Sequence, residues 1–288
     1  MPVAFVSGAS RGIGRCAALA LARRGFDLVL SARTTTEGSG RSAPSVPGAD
    51  SLTIPGSLET TAADVRALGR QATTIPFDIM DQESIRRCAT DALNAYGRVD
   101  AMLNCAFYQG PGNAVPFLDV TMDQLESAII GDYLHQMLML KSIVPHMSAR
   151  GSGVICNMTS RVVTRELGDG RSSAPGTTYG VAYAAGKAAF HRVAGVLQYE
   201  LGSAGLRFYN VDPGLTVTET RKARLRGTPA ENEYLGDPPE VTGEVVAWLT
   251  SDDPDAVALA GKAVVARQWC VTKGLLPGWT PYAEGRID

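Results

Sequence analysis

The sequence predicts an α/β protein: a single doubly wound Rossmann-type domain over residues 1–288, with a mostly parallel sheet of six or seven strands and helices on both faces. Three observations carry that expectation. Short apolar runs alternate with helix-length amphipathic stretches along the whole chain. A glycine-rich turn separates the first apolar run from the first helix. No linker of disordered composition divides one half from the other, and no internal repeat is present. At 45% apolar and 19% charged residues the composition is that of an ordinary globular enzyme with an ample core.

Taken in order, Val3-Ala4-Phe5-Val6 is the first strand, Ser7 to Gly14 (SGASRGIG) the turn, and Arg15 to Arg24 the helix behind it. That succession is the context a dinucleotide fingerprint requires. Gly8, Gly12 and Gly14 let the backbone turn tightly and approach a pyrophosphate, while the free amides of the helix start point at its charge. Ser10, Arg11 and Ile13 lie between them as further candidate contacts. Phe26 to Ala32 (FDLVLSA) is a second buried strand. An acidic residue at its end would bond a ribose 2′-hydroxyl; Arg33 stands there instead and, with Arg11, is able to grip a 2′-phosphate, which favours NADP over NAD. Two exposed arginines without a ligand are the alternative.

From Thr35 to Gly56 the text is rich in Gly, Ser and Pro without an apolar period, a surface insertion (35–56) near the adenosine end. A helix follows at 58–68 and a strand at 72–77, with Asp78 and the adjoining Ile79 at its C-terminal end, placed for adenine. Asp81 caps a helix over 82–96. Asp100 to Cys105 is the fourth strand, ending in Asn104-Cys105-Ala106-Phe107. Thr121 to Met147 reads as one long helix with an apolar face through Leu125, Ile129, Leu134, Leu138 and Ile143. Gly153 to Met158 is the fifth strand, finishing at Thr159-Ser160. A Gly- and Ser-rich stretch (165–178) precedes a helix over 182–201, a strand over 206–211 and Asp212-Pro213-Gly214. The polar segment 216–239 reads as a mobile lobe over a site rather than as sheet. A helix at 240–249, a strand at 262–266 and a C-terminal tail (270–288) complete the chain.

A net charge of −2 excludes a nucleic-acid surface as the main business. The basic run Arg221 to Arg226 is either a solvated helix face or an anion site. The five cysteines have no CxxC spacing and read as buried thiols of a reducing compartment. The three histidines lack a ligand partner at helical spacing, so no metal is expected. A strand begins at once without a basic-then-apolar leader, and no apolar run is long enough to span a bilayer, which makes a cytoplasmic protein without membrane contact the expectation.

The chemistry centres on Tyr183-Ala184-Ala185-Gly186-Lys187, a phenol and an ammonium one helical turn apart on one face. A tyrosine titrates near 10 when unperturbed, and a nearby ammonium lowers that by stabilising phenolate. Alone, such spacing is common in structural helices; Ser160, at the sheet edge where these folds bind ligands, makes it informative.

These residues closely resemble the short-chain dehydrogenase/reductase family. The resemblance rests on the glycine turn, Asp78, Asn104, Ser160, Tyr183, Lys187 and Pro213-Gly214-Leu215-Thr216-Val217-Thr218, and it covers nearly the whole chain. It implies that Tyr183 exchanges a proton with the substrate oxygen, that Ser160 hydrogen-bonds that oxygen, and that Lys187 holds the nicotinamide ribose and lowers the tyrosine pKa. It places Ile79, Ala106, Pro213, Gly214, Thr216 and Thr218 with the glycine turn around the cofactor. It further implies pairing of subunits through the long helices into a homodimer or homotetramer.

Several residues depart from the family pattern. Asp132 stands where the catalytic Asn usually sits and cannot donate as an amide does; holding a water beside Lys187 is the role left to it. Phe107 replaces a glycine near the nicotinamide, for wall packing or for stacking on substrate. Ala266-Arg267-Gln268 stands where Asp-Gly-Gly is usual, and the stretch before Tyr183 is lengthened. The expectation is an NADP-dependent oxidoreductase for a small carbonyl/alcohol pair. An epimerase, dehydratase or cyclase using the same site, and a dinucleotide-binding protein without turnover, are the alternatives.

Overall fold

In a computed structural model, residues 1–42, 51–164, 180–226 and 236–281 are described. β1 (Val3–Ser7) passes through the glycine turn into α1 (Gly12–Arg23), and the chain returns as β2 (Asp27–Ala32), parallel to β1. The insertion holds a small antiparallel pair, β3 (Arg41–Ser42) and β4 (Leu52–Thr53). Then come α2 (Leu58–Ala67), β5 (Ala72–Pro76), α3 (Gln82–Tyr96) and β6 (Ala101–Asn104). Ser57 caps α2 by accepting from Thr60 N, and the Asp81 carboxylate caps α3 by accepting from Glu83 N and Ser84 N.

The second half runs α4 (Met122–Ile129), a π-helical turn (Ile130–Leu134), α5 (His135–Ala149), β7 (Gly153–Met158), α6 (Val181–Leu201) and β8 (Leu206–Asp212). It closes with α7 (Glu219–Leu225), α8 (Pro239–Leu249), α9 (Pro254–Ala258), β9 (Ala263–Val265) and α10 (Ala266–Lys273).

Seven parallel strands form the sheet in the order β5-β2-β1-β6-β7-β8-β9. The order reverses between β1 and β6, and the chain leaves their C-terminal ends as the glycine turn and as Cys105 to Phe107. A parallel sheet is covered on both faces, so alternate side chains serve two cores. Ala4 and Val6 of β1 join the cluster under α1, α2 and α8, while Val3 and Phe5 join the one under α3, α5 and α6. One buried row is polar: Ser31, Ser7, Asn104, Asn157 and Asn210 lie in register across β2, β1, β6, β7 and β8. Asn104 Nδ2 donates to Asn157 Oδ1 at 2.9 Å.

The structure corrects the reading of some segments. The long helix runs unbroken from Met122 to Ala149, but a π turn at Ile130–Leu134, which contains Asp132, adds a residue to its ladder. The described ends of the lobe are tied together by backbone hydrogen bonds. Val217 N donates to Asp237 O (3.0 Å), Asp237 N donates to Leu215 O (2.8 Å), and Thr218 caps α7. Arg267, at the altered strand end, lies in α10; it stands 3.7 Å from the buried Asp237 and ties α10 to the base of the lobe. The first part of the tail packs with Leu275, Leu276 and Trp279 against the α1–α8 core. The 165–178 stretch lies outside the described residues. No described helix is long and apolar enough to cross a membrane.

Candidate active site

The cleft begins at the glycine turn. Gly8 (φ 72°) and Gly12 (φ 54°) are left-handed, and a Cβ on Gly14 would lie 2.2 Å from Gly8 O, so the turn closes only without side chains. Ser7 Oγ accepts from Cys105 N (3.0 Å) and Ala106 N (3.1 Å), joining the ends of β1 and β6. The N-terminal amide of α1 already meets an anion: Gly12 N donates to Glu219 Oε2 at 2.9 Å. The carboxylate there is favoured by the positive end of the helix dipole.

The remaining cofactor candidates fall into two groups. Ser10 is buried in the turn, Ile13 and Ala106 are half-buried beside it, and Pro213, Gly214, Thr216 and Thr218 form the strand-to-α7 connection. There Thr216 Oγ1 donates to Pro213 O (3.1 Å) and Thr218 Oγ1 accepts from Arg221 N (3.3 Å). The second group is engaged elsewhere. Arg11 donates to Pro55 O (2.9 Å), Gly56 O (2.8 Å) and Thr34 Oγ1 (3.0 Å), so its guanidinium anchors the insertion, while Arg33 is exposed. The Asn104 side chain lies inside the sheet on Asn157 rather than in the cleft. Asp78 Oδ1 accepts from Met80 N (2.9 Å), and Ile79 is buried.

At the other end, Tyr183 and Lys187 project from one face of α6, both buried. Lys187 Nζ donates to Met158 O (3.1 Å), fixing α6 to the end of β7 two residues before Ser160. Ser160 is half-buried and caps the 3₁₀ turn Arg161–Val163, its Oγ accepting from Val162 N (3.3 Å); that turn packs against α6. The ammonium faces the Phe107 ring at 4.4 Å and the Tyr183 ring at 5.8 Å. Phe107 meets Tyr183 edge to face, with centroids 6.1 Å apart.

Asp132 packs against the bare Gly186, whose missing Cβ would lie 2.9 Å from Asp132 Cβ. Its Oδ1 accepts from Tyr108 N (2.7 Å), and its Oδ2 is buried with no partner among the described residues. Burial raises the Asp132 pKa to about 6 against the pull of the Lys187 charge. Burial lowers the Lys187 pKa, opposed by Asp132 and Cys105, and it raises the Cys105 thiol to about 11. The site therefore resists both charges of its central pair.

Two features of α7 escaped the sequence. Glu219 reaches Gly12, 207 positions away in the chain, and Arg224 is half-buried, donating to Ser42 Oγ (3.1 Å) and Gln109 Oε1 (3.4 Å). The basic run is thus not wholly a solvated face. Thr218 followed by Glu219 carries a helix-start signal, but nothing local names the distant amide.

A parallel sheet with a glycine turn at its reversal point and a Tyr–Lys pair at the same edge defines a Rossmann-type oxidoreductase. More closely, the chain belongs to the short chain dehydrogenase family, whose model matches residues 52–228, more than half of its length. It is 25% identical over 261 residues to L-rhamnose 1-dehydrogenase (NAD(P)(+)) of Sphingomonas sp. strain SKA58, covering 86% of this chain and 88% of the relative. To the oxidoreductase UcpA of Escherichia coli K12 it is 28% identical over 264 residues, covering 87% and 88%. Among solved structures, levodione reductase superposes with a TM-score of 0.73 at 21% identity, covering 92% of this chain and 95% of that one. Acetoin dehydrogenase from Enterobacter cloacae gives 0.69 at 23% identity, covering 97% and 99%. At these identities the solved structures speak for the fold.

Proposed function

We propose that this chain is an NADP-preferring dehydrogenase or reductase that moves a hydride between a nicotinamide and the carbonyl carbon of a small carbonyl/secondary alcohol pair. The observation that carries the reading is the seating of Tyr183 and Lys187 on one face of α6, with Lys187 Nζ held by Met158 O beside Ser160. The bound cofactor supplies the hydride; the protein orients it and manages the proton. Tyr183 is the proton donor in reduction and the acceptor in oxidation, and the Lys187 ammonium stabilises its phenolate. The Ser160 hydroxyl hydrogen-bonds the substrate oxygen. Asp132 acts behind Lys187, its buried Oδ2 carrying no partner among the described residues, and a water accepted there would complete a proton path. The diphosphate would take the amides at Gly12 to Gly14, displacing the Glu219 carboxylate.

Preference for NADP now rests on Arg33, because Arg11 holds the insertion. The names of the relatives leave both cofactors open: one is an NAD(P)(+) enzyme, and another an NAD-dependent oxidoreductase of Mycobacterium tuberculosis. A homodimer or homotetramer remains part of the reading, supported by exposed apolar side chains on the outer helices, among them Leu134, Val181 and Val196.

The experiment is a fluorescence titration with NADPH and with NADH, followed by a panel of ketones, quinones and sugar lactones. Tyr183→Phe should abolish oxidation of NADPH by any active panel member, a loss of at least about a thousandfold, while cofactor affinity changes by less than about threefold. Retained turnover would remove Tyr183 from the chemistry. Tight binding with no turnover by the wild type would favour the non-redox reading.

A further inference from the structure

A buried ammonium has three N–H donors to satisfy, and Lys187 gives one to Met158 O. The carboxylate nearest in influence is Asp132, whose charge is present only above about pH 6. The other group in contact is an aromatic face. Phe107, at the end of the β6 connection, lies 4.4 Å from Lys187 Nζ and presents the negative face of its quadrupole, while its ring also packs against Tyr183. In a desolvated site this attraction is at its strongest, because no water competes for the cation. A glycine at this position would remove that aromatic face from the ammonium.

We propose that Phe107 is a positioning residue whose ring holds the Lys187 ammonium charged and seated beside Tyr183, and thereby sets the acidity of Tyr183. The inference rests on Tyr183 being the tuned proton donor, and it assigns Phe107 a role distinct from substrate stacking. The charged groups that bear on Lys187 are Asp132 from the π turn, Cys105 from the β6 connection and Tyr183 from its own helix. Of these, Cys105 stays a neutral thiol in the working range, since burial raises it to about 11. Asp132 and the Phe107 ring therefore act in the same direction, keeping a proton on Lys187, and only the ring does so at every pH.

The test needs no substrate. Tyrosinate formation is followed by ultraviolet absorbance in the cofactor-free protein, and subtracting the titration of Tyr183→Phe isolates Tyr183. Phe107→Leu keeps the apolar bulk and removes the quadrupole; the Tyr183 titration should move up by about one unit, a tenfold weaker acid. Phe107→Trp keeps an aromatic face and should titrate within a few tenths of a unit of the wild type. An unmoved titration in Phe107→Leu overturns the proposal, as does an equal shift in Leu and Trp, which would mark plain packing. If Phe107→Leu does not fold, Phe107→Met carries the same comparison. The two readings fail separately: turnover surviving in Tyr183→Phe overturns the general-acid assignment, whereas loss of turnover there with an unmoved Phe107→Leu titration overturns only the role of Phe107.

Discussion

At position 132 a carboxylate is held where ionising is unfavourable, and this has a consequence for stability that needs no knowledge of substrate. The Asp132 pKa is raised from 3.8 to about 6, chiefly by burial, so between those values the folded protein holds a proton the unfolded chain has lost. Stability contributed by this group is therefore present below about pH 4 and is lost as pH rises to about 6. Asp132→Asn keeps an oxygen for the Tyr108 amide and removes the titration. Whatever its offset at pH 4, the variant should gain on the wild type by about 3 kcal/mol across that window, measured by urea unfolding at several pH values. A constant difference would show that Asp132 is not a titrating buried acid. The Tyr183–Lys187 spacing and the placement of Ser160 after a strand were legible in the sequence because they are local relations. Arg11 and Asn104 were legible only as types. A guanidinium near a phosphate cradle and a guanidinium bonded to Pro55 O read identically until the competing acceptors are placed.

Among the elements, α7 joins parts of the chain that are far apart in sequence. It sets Glu219 on the first amide of α1 and Arg224 on Ser42 and Gln109, so it spans from the glycine turn to the insertion and to the β6 connection. An entering diphosphate and the Glu219 carboxylate want the same N–H. Glu219→Gln keeps a weaker, neutral acceptor, and NADPH should bind roughly three- to tenfold more tightly, about 1 kcal/mol, in a fluorescence titration. Weaker binding would mean that Glu219 holds the turn in shape rather than competing for it. The alternation of strand and helix was legible because buried parallel strands are short continuous apolar runs, FDLVLSA being one. The π turn was not, since the apolar period through Leu125, Ile129 and Leu134 continues across it and one extra residue leaves no mark in composition. Nor was α10: Ala266 to Lys273 begins where the strand was expected to end, and the partner of its Arg267, Asp237, lies 30 positions away in the chain.

For the whole molecule, the decisive property is that the cleft gathers parts from both halves of the sheet. The glycine turn, the β6 connection, the β7–α6 junction and α7 all border it, and each is anchored in a different part of the two cores. A dinucleotide bound across them would contact all of these elements at once, so binding should appear as global stabilisation rather than as ordering of one loop. At a free concentration of about one hundred times Kd the gain is about 2.7 kcal/mol, which for a chain of this size raises Tm by roughly 5 °C. Thermal unfolding with a concentration series of NADPH and of NADH separates the two cofactors on one axis. If Arg33 reads a 2′-phosphate, the NADPH curve should be displaced to lower concentration by at least about tenfold, and Arg33→Ala should bring the two curves together without altering the NADH curve. Coincident curves in the wild type would instead assign Arg33 to the solvent and make this an enzyme indifferent to the 2′-phosphate. A change in the NADH curve on Arg33→Ala would place the arginine on the adenosine that both cofactors share.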